Sequence, residues 1–218
     1  MKSKIGYSLI AVGIVLVICA CMLVLSNQRE NEMAQKQSEE VLEQVIAAIK
    51  AEPETVVDSA AAETGTDTDA GAEAGQDEGP VISRVEVRQT VRVDGNDYMG
   101  YLTIPDLGKI LPIMADWSYA KLRIAPCRYV GGVQTDDLVI CAHNYASHFG
   151  DIGKLTPGAI VSFTDVNGIV TDCEVVLVTV LTPDAKEEMT SGEYPLTLFT
   201  CTYGGEKRVT VRCRKANS

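Results

Sequence analysis

The chain has 218 residues, 46% hydrophobic, 6% aromatic and 22% charged, which describes a globular protein carrying extra apolar length and excludes a fibrous or wholly disordered one. Its net charge of −11 is unevenly placed: residues 1–50 are neutral, 51–79 carry −9 and 80–218 carry −2. A folded part without a basic excess argues against nucleic acid as a partner, because phosphate binding needs clustered Lys and Arg.

Residues 5–25 run for twenty-one positions without a charge, long enough as a helix to cross a hydrocarbon core of about 30 Å. Lys2 and Lys4 precede the run and Glu30 and Glu32 follow it, so the positive-inside rule places residues 1–4 in the cytoplasm and everything after the span outside. The run exceeds the ~7–15 residues of a signal-peptide core and lacks a clean small-x-small ending, which favours a retained single-pass signal anchor over a cleaved leader. Over residues 26–51, Val41, Leu42, Val45, Ile46 and Ile49 recur at helical spacing among Glu, Gln and Lys. This predicts an amphipathic stalk helix, expected to be solvated and able to continue the membrane helix. Residues 52–79, rich in Ala, Gly, Thr, Asp and Glu without an aromatic, have too little apolar surface to offset ordering entropy and read as a disordered acidic tether.

Residues 81–218 are enough for one core. Short β-rich runs at 85–93, 98–104, 110–114, 138–142, 160–165, 169–181, 196–202 and 208–214 alternate with turn residues, a spacing that predicts an all-β barrel or sandwich. Helix is confined to short turns at 119–124 and 145–154. The domain shows no phosphate-cradling glycine loop, paired-cysteine zinc spacing or calcium-loop pattern. Asp184, Glu187, Glu188 and Glu193 carry oxygen ligands of the kind Ca²⁺ takes, but read as solvated loop charges; no cofactor and no metal is expected.

Seven cysteines divide into Cys19 and Cys21 within the apolar run and Cys127, Cys141, Cys173, Cys201 and Cys213 beyond it. Five is odd, so an extracytoplasmic domain keeps at least one thiol outside an intramolecular disulfide. Cys141 and Cys213 sit in apolar strand patterns and read as small buried hydrophobes; Cys127 and Cys173 have no distinguishing pattern. Cys201 ends a strand just before Gly204-Gly205, a hairpin signal. A two-residue loop there sets Cys201 opposite Arg208, with Cβ atoms ~4.5–5.5 Å apart. A guanidinium so placed stabilises a thiolate, or the oxyanion formed when it attacks a carbonyl. Arg212 and Arg214 fall opposite Thr197 and Pro195, too far along for direct contact with the thiol. The residues alone leave open a surface arginine beside a buried thiol.

Two histidines are present in the whole chain. His143 follows the apolar run 138–142 at a strand end, where a rigid element aims a side chain, whereas His148 lies in the next loop. Cys201 and His143 together supply the nucleophile and general acid/base of acyl transfer.

The segment Thr197-Leu198-Phe199-Thr200-Cys201 with Arg208 downstream and His143 upstream resembles the sortase family of Gram-positive cell-surface cysteine transpeptidases. Gly100-Tyr101-Leu102-Thr103-Ile104-Pro105 and Leu138-Val139-Ile140-Cys141-Ala142-His143-Asn144 support the resemblance, which covers roughly residues 95–218. It implies an eight-stranded sortase-type β-barrel. It also implies a thioacyl-enzyme formed on Cys201 from an LPxTG-like sorting-signal peptide, then transfer to an amine of a cell-wall precursor. His143 would protonate the leaving amine and deprotonate the incoming one, and Arg208 would hold substrate or oxyanion. No second apolar span follows the domain and no aromatic Asp-Pro lid motif precedes it, which departs from the pilin-polymerising type. The 183–193 segment is too short for a class B helical insertion, so a class D-like or divergent sortase fits best. The rival readings are a membrane-anchored cysteine peptidase, in which water replaces the amine, and an anchored noncatalytic binding module. The Ser-x-Gly-Cys context of an L,D-transpeptidase is absent around Cys201.

Overall fold

The computed structural model describes residues 2–51 and 89–216; the tether expected at 52–79 lies outside the described residues. Its first element is one unbroken helix, α1 (Lys2–Lys50), in which the apolar run and the stalk are continuous. Nine strands follow: β1 (Val91–Val93), β2 (Asn96–Ile104), β3 (Lys109–Met114), β4 (Cys127–Val130), β5 (Leu138–Ala142), β6 (Ile160–Asp165), β7 (Val170–Leu181), β8 (Leu196–Cys201) and β9 (Arg208–Lys215). Two one-turn helices, α2 (Tyr119–Leu122) and α3 (Lys186–Met189), lie between strands.

The strand order is β1-β2-β3-β4-β5-β8-β9-β7-β6, and a further pairing of β2 with β6 closes eight strands into a barrel with β1 added outside the ring. Two neighbour pairs are parallel, β3 with β4 and β5 with β8. Closure depends on Gly100, where φ is 143° and a Cβ would stand 2.0 Å from the Thr164 carbonyl oxygen. Only glycine lets β2 pass that close to β6. Leu102, Ile104, Ile113, Ile140, Phe149, Phe163, Leu198 and Val211 fill the interior.

Two expectations need correction. The run at 85–93 yields a strand only at Val91–Val93, with 81–88 outside the described residues, and β4 was not foreseen at all. Four residues caught between Pro126 and Gly131-Gly132 are too short to show alternation, and β4 is fixed by its neighbours instead. The stalk is also not a freely solvated helix. Ala34, Ser38, Val41 and Val45 are buried, and Val41 and Val45 pack with Val91, Val93, Tyr98, Met114, Cys127 and Cys141 on the barrel's outer face. Each aliphatic side chain removed from water there contributes roughly 1.5 kcal/mol or more, so the helical stripe has a partner within its own chain.

Candidate active site

β5 and β8 run parallel in a register that pairs Ala142 with Thr200. One step further on each strand come His143 and Cys201, side by side at the carboxyl ends of neighbouring strands. On the other side of β8, antiparallel β9 sets Arg208 opposite Cys201. Three strands thus bring a thiol, an imidazole and a guanidinium to one rim of the barrel. All three side chains line one groove of about 290 Å³ and are half-buried.

The local sequence explains the alternation. Leu196, Leu198 and Thr200 turn inward: the two leucines enter the core, and the Thr200 hydroxyl donates to the Ala142 carbonyl at 2.8 Å. Phe199 and Cys201 turn to the groove. The hairpin register matches the sequence expectation, but the loop is wider than two residues. Strand pairing stops at Cys201 and Arg208, and Thr202 closes the turn through its carbonyl to the Gly205 N–H at 2.9 Å and its N–H to the Lys207 carbonyl at 3.0 Å. Gly204 and Gly205 both take positive φ, 86° and 77°, a region costly for side-chain-bearing residues. Arg208 Nη1 donates to the carbonyls of Gly205 at 2.9 Å and Lys207 at 3.0 Å. Among the described residues its other guanidinium donors carry no hydrogen bond.

All seven cysteines are free thiols. Cys127, Cys141, Cys173 and Cys213 are buried, and desolvation pushes the thiols of Cys127 and Cys173 up to about 12 and about 11 and those of Cys141 and Cys213 higher still. Buried thiols that resist ionisation are poor nucleophiles. Of the cysteines beyond α1, Cys201 alone reaches a groove from a half-buried position.

His143 is held below the ordinary imidazole value by burial first and the Arg123 cation second, with the Glu30 carboxylate opposing. The Tyr145 ring lies 4.9 Å from it. His148 is fully buried, and burial, then the charges of His143 and Lys109, push it down to about 4. It is a neutral part of the loop's packing, 5.5 Å from Tyr145, and does not line the groove.

One groove wall is aromatic, with Trp117, Tyr119 and Tyr129 above Phe199; Trp117 to Tyr129 and Tyr129 to Phe199 are 5.6 and 5.3 Å between ring centres. The other wall is the β7–β8 connection with Pro183, Ala185, Lys186 and Met189. Arg212, 3% exposed, pins that wall: Nη1 donates to the Met189 carbonyl and Thr197 hydroxyl at 3.0 Å each, and Nη2 to the Glu188 carbonyl at 2.7 Å. Its guanidinium lies 5.2 Å from the Tyr194 ring centre. The pairing of Arg212 with Thr197 was expected from the register, but the wall-fastening role was not. The only signal for it in the sequence was an arginine set opposite a threonine by the register. Arg214 instead turns outward to Glu174 at 3.0 Å. Among the described residues no three His, Cys, Asp or Glu side chains gather as a metal site.

A family model described as Sortase domain matches residues 102–216. The Clostridium perfringens sortase C structure containing the C-terminal cell wall sorting motif is similar over 56% of this chain and 72% of that one, at 26% identity and TM-score 0.50. Sortase C from Clostridium perfringens SM101 (28% identity, 56% and 71% of the two chains, TM-score 0.48) and sortase A from Corynebacterium diphtheriae (21%, 56% and 62%, TM-score 0.49) are also similar. No curated protein matches the sequence.

Proposed function

Because the chain belongs to the sortase family of cysteine transpeptidases, we propose that it cleaves an LPxTG-like sorting-signal peptide through a thioacyl-enzyme on Cys201 and transfers it to a cell-wall precursor amine. The observation that carries this reading is the β5–β8–β9 register, which sets His143 and Arg208 on either side of Cys201 above an open groove.

The chemistry follows from those positions. The Cys201 thiolate adds to the scissile carbonyl, and the negative charge moves to the carbonyl oxygen, where Arg208 supplies N–H donors. The tetrahedral adduct collapses, the C–N bond breaks, and the imidazolium of His143 gives its proton to the departing amine. A thioester remains. The acceptor amine then attacks it, neutral His143 takes the amine's proton, and the C–S bond breaks to return the thiolate. The apolar aromatic wall and the Met189 wall suit an extended peptide with apolar side chains.

The N-terminal helix, whose apolar window has a mean hydropathy of 1.8, serves in this reading as a single-pass anchor with residues 1–4 cytoplasmic and the barrel outside. The subclass is read as class D-like or divergent.

The test is a transfer assay on the full chain in detergent, with a sorting-signal peptide and triglycine. Amide product is expected from the wild type, none from Cys201→Ala, and turnover about 10²–10⁴-fold lower from His143→Ala. Hydrolysis that stays unchanged when triglycine is added would establish the peptidase reading instead. Full activity in Cys201→Ala would overturn the assignment.

A further inference from the structure

The helix that would span the membrane also reaches the loop that carries His143. That loop folds tightly after β5: the Phe149 N–H donates to the His143 carbonyl at 3.3 Å, and the N–H groups of His148 and Gly150 both donate to the Tyr145 carbonyl at 2.9 Å. The backbone of Ala146 is gripped from two sides. Its N–H donates to Asn31 Oδ1 of α1 at 3.2 Å, and its carbonyl accepts from Lys109 Nζ of β3. Asn31 Nδ2 donates one turn back to the Asn27 carbonyl at 3.0 Å, which leaves Oδ1 directed at the loop. Below this point the buried stripe Ala34, Ser38, Val41 and Val45 fastens α1 to the barrel.

We propose that the juxtamembrane turn of α1 is a positioning element of the active site, in which Asn31 clamps the loop that orients His143. The inference rests on the transpeptidase reading for its catalytic consequence, but not for the physical coupling. Asn31 stands six residues past Leu25, the end of the apolar run, about 9 Å along a helix axis. The clamp therefore also seats the His143 side of the groove close to the bilayer surface.

The charges around His143 come from several elements. Glu30 of α1 favours the imidazolium and Arg123, after α2, disfavours it; Tyr145 and His148 flank it in its own loop. Cys201 of β8 and Arg208 of β9 share its groove, and Lys109 faces His148.

The experiment uses the full chain in lipid nanodiscs and has two arms. In the first, imidazole NMR follows His143, distinguished from His148 by the His143→Gln spectrum. Asn31→Ala should displace the His143 ring resonances, and Asn31→Asp, which keeps the acceptor oxygen, should hold them nearer their wild-type positions. In the second, transfer kinetics should show a lower kcat in Asn31→Ala with KM little changed, by about 10–10²-fold as expected for a catalytic group displaced by about 1 Å. Asn31→Asp should retain kcat. Unmoved His143 resonances together with wild-type kcat in Asn31→Ala would overturn the proposal. If the wild type transfers nothing, the NMR arm alone decides the coupling, so that failure is separable from failure of the transpeptidase reading.

Discussion

Arg208 and Arg212 are four residues apart on β9 and do different work. Arg208 stands across from Cys201 and uses Nη1 to brace the turn after it, whereas Arg212 is buried and spends its donors on the groove wall. Losing an oxyanion donor costs about 10²–10³ in kcat, so Arg208→Ala is expected to fall by about that factor in a peptide-transfer assay. Arg208→Lys should recover little of it, because an ammonium cannot brace two carbonyls and still present a planar fork to substrate. Equal kcat in Arg208→Ala and wild type would remove Arg208 from the mechanism. The Cys201–Arg208 pairing was legible in the sequence because a Gly-Gly turn fixes an antiparallel register by counting. The nearness of His143 to Cys201 was legible only as a resemblance. It arises from a parallel pairing between strands 58 positions apart in register, Ala142 with Thr200, and no local pattern encodes such a pairing.

At the level of elements, the long strands were readable and the short or context-made ones were not. β5 and β6 match the sequence reading at both ends, and β7, β8 and β9 differ by one residue at an end. β4 escaped because its four residues owe their conformation to Cys141 and Ile140 across the sheet, not to their own pattern. The loop between β5 and β6 makes a prediction of its own. His148 is fully buried and titrates near 4 when folded, against about 6.5 in an unfolded chain. Between those values the unfolded chain binds the extra proton. Stability from this group is therefore complete above about pH 6.5 and declines as pH falls towards 4, by about 3 kcal/mol in all. Thermal unfolding of the full chain in detergent should show this decline, and His148→Phe should show a shallower one. Identical pH dependence in the two proteins would mean that His148 does not carry it.

Across the whole molecule, a long apolar helix followed by a β-barrel was visible in the charge-free run and the change to period-two patterning. The docking of the stalk was not visible, because an amphipathic stripe shows that a helix has a partner without saying which. Here the partner is the barrel's outer face, so the stalk half of the long helix and the barrel share one packed cluster. The central claim remains the thioester on Cys201, and the most direct measurement is the intact mass of the full chain incubated with a sorting-signal peptide in the absence of amine. The account predicts an adduct equal to the acyl half of the peptide, located on Cys201 by digestion, discharged by triglycine and absent in Cys201→Ala. No adduct in the wild type with any sorting-signal peptide, or an adduct that persists in Cys201→Ala, would contradict it.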